Sequence, residues 1–206
     1  MALKAVFFDI GETLVDETRL WASVAEQQGV PALTLFGVLG GLIERRVHHR
    51  AVHDLLAPDR PYADWPGITA ADFYPDALPC LAACRAAGWR IGLAGNQPAS
   101  AEHALNGLGL DVDVIASSET WGVEKPSPEF FARMADAAQC APAEVAYVGD
   151  RVDNDVVPAH AAGMVSVFVI RGPWGWLQKD WPEAAQAALT VAELTDLPSK
   201  LLRLTP

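Results

Sequence analysis

Apolar positions along the chain fall into five short, nearly unbroken runs separated by longer stretches with helical spacing. The runs are KAVFF (4–8), WRIGLAG (89–95), DVDVIAS (111–117), EVAYVG (144–149) and MVSVFVI (164–170). Each is rich in Val, Ile or Phe with little polar alternation, the pattern of a parallel strand covered on both faces. Residues 75–88, 98–109, 127–139 and 153–163 read as the amphipathic helices between them. Ser127 followed by Pro128 marks one helix start, with Asp153 as the N-cap of another, and Gly88 and Gly163 mark two ends. Such alternation predicts an α/β fold, a doubly wound parallel five-stranded (Rossmann-like) core.

Residues 17–74 break the alternation. They contain no strand-like run; 20–29 and 33–56 read as helices, and a loop carrying Pro58, Pro61 and Pro66 follows. The expected organisation is therefore a core of residues 1–16 and 75–206 with a small helical insert, 17–74, after the first strand. Beyond Arg171 the pattern predicts a Trp-bearing loop, GPWGW (172–176), then a helix near 182–190 and a short terminal helix.

Composition narrows the function classes. In 206 residues, 51% are hydrophobic and 20% charged, which is a globular balance. A net charge of -11 opposes binding to nucleic acid or an anionic membrane. A small anion remains acceptable wherever local positive charge or backbone N–H groups overcome that field. Three cysteines, Cys80, Cys84 and Cys140, make no disulfide framework. The first apolar run is too short for a secretory signal, and no stretch approaches a membrane span, so a cytoplasmic protein is expected.

The chemistry gathers where strands end. Asp9 and Thr13 follow the first run, and Gly95, Asn96 and Gln97 close or follow the second. Lys125 follows the third, and Asp150, Asp153 and Asp155 the fourth. In a doubly wound sheet these carboxyl ends share one edge, where ligands bind. Asp9 and Asp150 would offer the hard oxygens that Mg²⁺ prefers. Lys125 and the cation would neutralise a phosphoryl group, and N–H groups at 95–97 would hold its oxygens. Asp9 would then be the nucleophile.

The succession FDIGETLVD, LAGNQ, EKPSPEFF and VGDRVDNDVVPAHAAGM resembles the haloacid dehalogenase-like (HAD) hydrolase superfamily, over residues 5 to about 165. The resemblance implies that 17–74 is a helical cap, Asp9 the nucleophile and Lys125 the charge clamp. It implies Asp150 as a metal ligand, Asp155 as a ligand or an acid behind it, and the Gly11 carbonyl as a further ligand. Thr13, Gly95, Asn96, Gln97 and Lys125 are the expected substrate contacts. The implied reaction is Mg²⁺-dependent hydrolysis of a small phosphorylated metabolite.

Two positions depart from the family pattern. Gly11 stands where family phosphatases mostly carry a second Asp, the proton donor to the leaving oxygen, and Gly95 stands where Ser or Thr is usual. Glu12 or a cap residue could replace the absent acid, or the leaving group could need none. The alternatives are a 2-haloacid dehalogenase, which would draw an arginine from the basic stretch ERRVHHRAVH (44–53), and a catalytically weak binding or regulatory protein. Arg45, Arg46 and His49 are the candidates for gripping an anion, against a plain solvated helix face. Trp121 is a candidate pocket wall. The GPWGW tryptophans could wall the pocket, pack the C-terminal helices or form a homodimer patch.

Overall fold

Strands β1 (Ala5–Phe8), β2 (Arg90–Gly95), β3 (Val114–Ser117), β4 (Val145–Gly149), β5 (Val165–Val169) and β6 (Leu189–Val191) form one parallel sheet in the order β3-β2-β1-β4-β5-β6. They belong to a computed structural model that describes residues 2–204. Alternation within each strand feeds two apolar layers. Val6 and Phe8 join Ile91, Leu93, Ala146 and Val148 on one face. Ala5 and Phe7 join Ala94, Val145 and Tyr147 on the other, where Phe130, Phe131 and Met134 cover them. Two covered faces explain why the runs read as continuous.

The sheet has six strands, not five. Residues 182–190 were expected to be helical, but only Pro182–Gln186 makes a short 3₁₀ turn before β6 pairs with β5. Three residues are too few to show a period, and the alanines around them read as helix. The supposed GPWGW loop is also corrected: Gly172–Gln178 is helical. Pro173 occupies its first turn, where no N–H is needed. At Gly175 a Cβ would stand 2.8 Å from the Val169 carbonyl oxygen, so this glycine permits a close crossing rather than a loop.

The remaining helices follow the chain: α1 (Thr18–Gln28), α2 (Ala32–Glu44), α3 (Ala51–Leu56), α4 (Ala77–Ala86), α5 (Ala99–Gly107), α6 (Ser118–Trp121), α7 (Pro128–Ala138), α8 (Val157–Ala161), α9 (the Gly172–Gln178 helix) and α10 (Leu197–Leu204). Ser127 caps α7, its Oγ accepting from the Glu129 N–H at 3.3 Å. Helices α1–α3 gather an apolar cluster of their own, with Leu35, Leu39, Ile43 and Val52 buried in it. Trp174 of α9 completes that cluster from the far end of the chain. The three cysteines are free thiols. No described helix is long and apolar enough to cross a membrane.

Candidate active site

Topology places the two acids together. β1 runs on to β2 and β3 on one side, and the chain then returns to β4 on the other, so the strand order reverses between β1 and β4. That switch point is where an open α/β sheet leaves a crevice. Asp9 emerges from β1 with its N–H donating to the Val148 carbonyl at 2.8 Å, one residue short of the end of β4. Asp150 therefore leaves its strand directly beside Asp9.

Lys125 reaches the same point from beyond β3. Its ammonium lies 2.8 Å from Asp9 Oδ1 and 2.6 Å from Asp155 Oδ1, and donates to Tyr147 Oη at 2.9 Å. Tyr147 in turn donates to the Ala94 carbonyl at 2.9 Å. Burial alone would lower the Lys125 pKa, but Asp155 and Asp9 outweigh it and the pKa is raised. Asn96 fixes the backbone here: its Oδ1 accepts from the Lys125 N–H at 2.7 Å and its Nδ2 donates to the Lys125 carbonyl at 2.9 Å. Asn96, expected at the substrate, lines the cavity and also spends its amide on aiming Lys125.

Gly95 is explained by contact. A Cβ there would stand 2.5 Å from Asp9 Oδ1, so a larger residue would push the carboxylate off Lys125. Thr13, also expected at the substrate, is fully buried and forms no part of the cavity wall. The loop turns it inward, where its carbonyl accepts from Arg171 at 3.0 Å.

Asp9, Asp150 and Asp155 each present a carboxylate oxygen within 4.8 Å of the others. Asp155 is already engaged, by Lys125 at Oδ1 and by the Arg151 N–H at Oδ2, 2.9 Å away. Its position comes from a single π-helical turn, Val152–Val156, which replaces the helix start expected at Asp153. The Asp153 carboxylate consequently caps nothing and accepts from Arg151 and Gln178. Asp150 Oδ2 is buried without a partner. Burial, then Asp155 and Asp9, push the Asp150 pKa well above the carboxylate range, and burial lifts Asp155 to about 6 against the pull of Lys125. An orphaned hard oxygen among crowded acids suits a divalent cation such as Mg²⁺.

This fit has a thermal signature. A carboxyl whose folded pKa is raised stabilises below its unfolded pKa, and that contribution is lost as pH climbs through the folded value. Metal-free protein is thus expected to lose Tm as pH rises from the ordinary carboxylate range toward neutrality, with Asp150→Asn flattening the loss. Mg²⁺ at neutral pH should raise the wild-type Tm but not that of Asp150→Asn. A wild-type Tm indifferent to Mg²⁺ would count against the cation site.

The space beside Gly11 is filled by Glu17. A Cβ on Gly11 would stand 2.2 Å from Glu17 Oε1 and 2.6 Å from its Cδ. Trp21 Nε1 donates to Glu17 Oε2 at 3.0 Å, and Gln97 Nε2 approaches Oε1 at 3.4 Å. Burial, with Glu12 and Asp9 adding repulsion, pushes the Glu17 pKa up to about 8. Glu12 is committed elsewhere: it accepts from Tyr74 Oη at 2.7 Å and from the Glu17 N–H at 2.9 Å. Its backbone sits at φ 53, which turns the side chain toward Gly172. Nothing in the sequence separates the two glutamates. Only the fold of residues 10–17 decides which one faces Asp9.

A cavity of about 530 Å³ opens from Asp9, Lys125 and Asp150. Trp21, Trp65 and Trp174 wall it together with Val24, Leu35 and Val52. Trp21 and Trp65 meet edge to face at 5.2 Å, and Trp174 lies 6.4 Å from Trp21. From the basic stretch, His48, His49, Arg50 and His53 reach the cavity, while Arg45 and Arg46 do not. Arg46 pairs with Glu183 and lies 3.9 Å over the Trp181 ring. His49 is neutral, burial and the nearby Arg151 holding its pKa down to about 3. Trp121 is not in the wall; it packs edge-on against Phe130. Of the GPWGW tryptophans, Trp174 is a wall and Trp176 is exposed.

Known proteins share this pattern. The family model described as haloacid dehalogenase-like hydrolase matches residues 3–163. A glyceraldehyde 3-phosphate phosphatase of Methanopyrus kandleri is 30% identical over 201 residues, covering 84% of this chain and 86% of that one. A plasmid-borne phosphoglycolate phosphatase of Cupriavidus necator is 31% identical over 98% of this chain and 95% of its own. The crystal structure of a HAD phosphatase from Thermococcus onnurineus superposes with a TM-score of 0.63 at 21% identity, covering 97% of this chain and 98% of that one. A 2-haloacid dehalogenase from Pseudomonas syringae gives 0.65 at 20%, covering 98% and 100%. At such identities the two structures speak for the fold alone.

Proposed function

The chain is a member of the haloacid dehalogenase-like hydrolases, and we propose that it is a Mg²⁺-dependent phosphatase of a small phosphorylated metabolite with Asp9 as its nucleophile. The observation that carries this reading is the orphaned Asp150 oxygen, buried in the same acid group as Asp9 and Lys125. A dehalogenase attacks carbon and needs no metal ion, so that reading gives the orphaned buried oxygen no partner. Arg50 at the cavity is the feature that would suit that second reading, since a haloacid carboxylate needs a cation to grip it.

In this scheme Lys125 holds Asp9 Oδ1 and turns Oδ2 toward phosphorus. Attack forms an Asp9–phosphate bond as the ester oxygen departs, and water then hydrolyses the acyl phosphate. Lys125 balances charge on the phosphoryl oxygens, and Asp155 and Asn96 hold it in place. Mg²⁺, bound by Asp9 and Asp150 with the Gly11 carbonyl, would withdraw charge from the same oxygens. The backbone N–H of Asn96 remains available to the phosphate, whereas that of Gln97 donates to the Gly95 carbonyl at 2.9 Å. Residues 17–74 act as the cap, supplying Trp21, Trp65 and the basic residues at the cavity, over a core of 1–16 and 75–206. The glycines at 11 and 95 support an active enzyme, since both make room for acids rather than merely lacking side chains.

The named relatives include phosphatases of glyceraldehyde 3-phosphate and phosphoglycolate. The three-tryptophan wall fits a substrate with more apolar surface than either. Phosphate release from a panel of phosphomonoesters, with Mg²⁺ and with chelator, tests both points. Turnover should require Mg²⁺, and esters with a ring or branched apolar body should show KM roughly tenfold lower than those two compounds, equivalent to burying about two methylenes. Halide release from 2-haloacids that survives chelation would replace the phosphatase reading with the dehalogenase one.

A further inference from the structure

We propose that Glu17 is the proton donor and acceptor of this active site, its carboxyl standing in for the side chain that Gly11 lacks. The inference rests on the phosphatase reading above. Its basis is the occupation of one volume: the Glu17 carboxyl overlaps the place where a side chain at position 11 would begin. The group lies on the cavity wall beside Asp9, at the junction with Trp21 and the apolar wall. A substrate with its phosphorus at Asp9 and its body on the tryptophans carries its ester oxygen across that junction.

The carboxyl is held rather than free. Trp21, one helical turn further along α1, donates to Oε2, and Gln97 from the end of β2 approaches Oε1. Glu12 receives the Glu17 N–H and is tied by Tyr74, so the second glutamate of the loop supports the first. As the Asp9 Oδ2–phosphorus bond forms and the phosphorus–ester oxygen bond breaks, the Glu17 proton passes to the departing oxygen, releasing an alcohol. In the second half, water adds to phosphorus and loses a proton to the Glu17 carboxylate. The Asp9–phosphorus bond breaks, and phosphate and the original carboxylate and carboxyl are restored.

The test is leaving-group dependence, read as kcat/KM because that constant reports the steps up to alcohol release. With Mg²⁺ present, an alkyl phosphate needs a proton on its leaving oxygen and 2,4-dinitrophenyl phosphate does not. Glu17→Gln keeps the shape and, through its amide oxygen, the bond from Trp21, while Gln97 must turn its own amide to accept from the new NH2. It is expected to lose about 10²–10³-fold on the alkyl phosphate and less than about tenfold on the dinitrophenyl ester. Equal losses on both, or none on either, would overturn the proposal while leaving the phosphatase reading intact. Absence of wild-type turnover of the dinitrophenyl ester would instead sink the phosphatase reading itself. Moving the carboxyl supplies a second arm. Gly11→Asp alone forces a side chain into occupied space and should slow the enzyme. Combined with Glu17→Ala it should recover alkyl phosphate turnover at least about tenfold over Glu17→Ala alone. A folded double variant with no recovery would show that Glu17 does not fill that role.

Discussion

Asp9→Asn is expected to abolish phosphate release, by on the order of 10⁴–10⁶-fold, while leaving the fold intact. The amide cannot form the acyl phosphate, and no other carboxylate can take its place. Asp155 is pinned behind Lys125 at both oxygens, and Asp150 leaves the neighbouring strand as the candidate cation ligand. Stability should move little, because Lys125 keeps its 2.6 Å pairing with Asp155 when the Asp9 charge is removed. The substitution also relieves repulsion that bears on Asp150, Asp155 and Glu17. Phosphate release measured beside a thermal melt separates the two effects. Turnover within about tenfold of wild type would remove Asp9 from the nucleophile's place.

Lys125→Met should have the opposite balance, with loss of fold stability as large as loss of rate. Methionine matches the length and apolar stem of lysine, so packing is nearly kept and the missing ammonium dominates. Asp9 and Asp155 then lose their shared cation while staying buried, and Tyr147 Oη loses its donor. Breaking a buried ion pair from one side costs about 3–5 kcal/mol. In a chain of this size that corresponds to a fall in Tm of roughly 10 °C. Urea denaturation of the metal-free protein measures it directly. A loss below about 1 kcal/mol would mean that Lys125 behaves as an exposed pair rather than as the keystone of the acid group. Asn96 belongs to the same unit, because its two bonds hold the backbone of Lys125.

The legible parts of the molecule share a local cause. A strand buried on both faces must be apolar at nearly every position, so β1, β2, β4 and β5 announce themselves. Parallel order then carries their carboxyl ends to one edge, and Asp9, Lys125 and Asp150 meet there as their places in the chain suggest. Where local pattern is short or mixed, the reading fails. β6 has only Leu189, Thr190 and Val191, and its strand character comes from hydrogen bonds to β5. Helix α9 is written in glycine and proline, and its cause is the close crossing at Gly175 and the fit of Trp174 among α1–α3.

The same division runs through the active site. Apolar periodicity and the order of the acidic and basic residues by themselves determined the α/β core, the strand end that carries the proposed nucleophile and the charge expected opposite it. Those features follow from rules acting on neighbours in the chain. The tertiary structure alone decided that Asn96 serves Lys125, that Thr13 turns inward, and that Glu17 rather than Glu12 fills the place beside Gly11. Each of those outcomes depends on which polar atom lies within about 3 Å of which, and residues five positions apart in a folded loop can face opposite ways. The Gly11 gap, an absence in the sequence, is a filled space in the molecule.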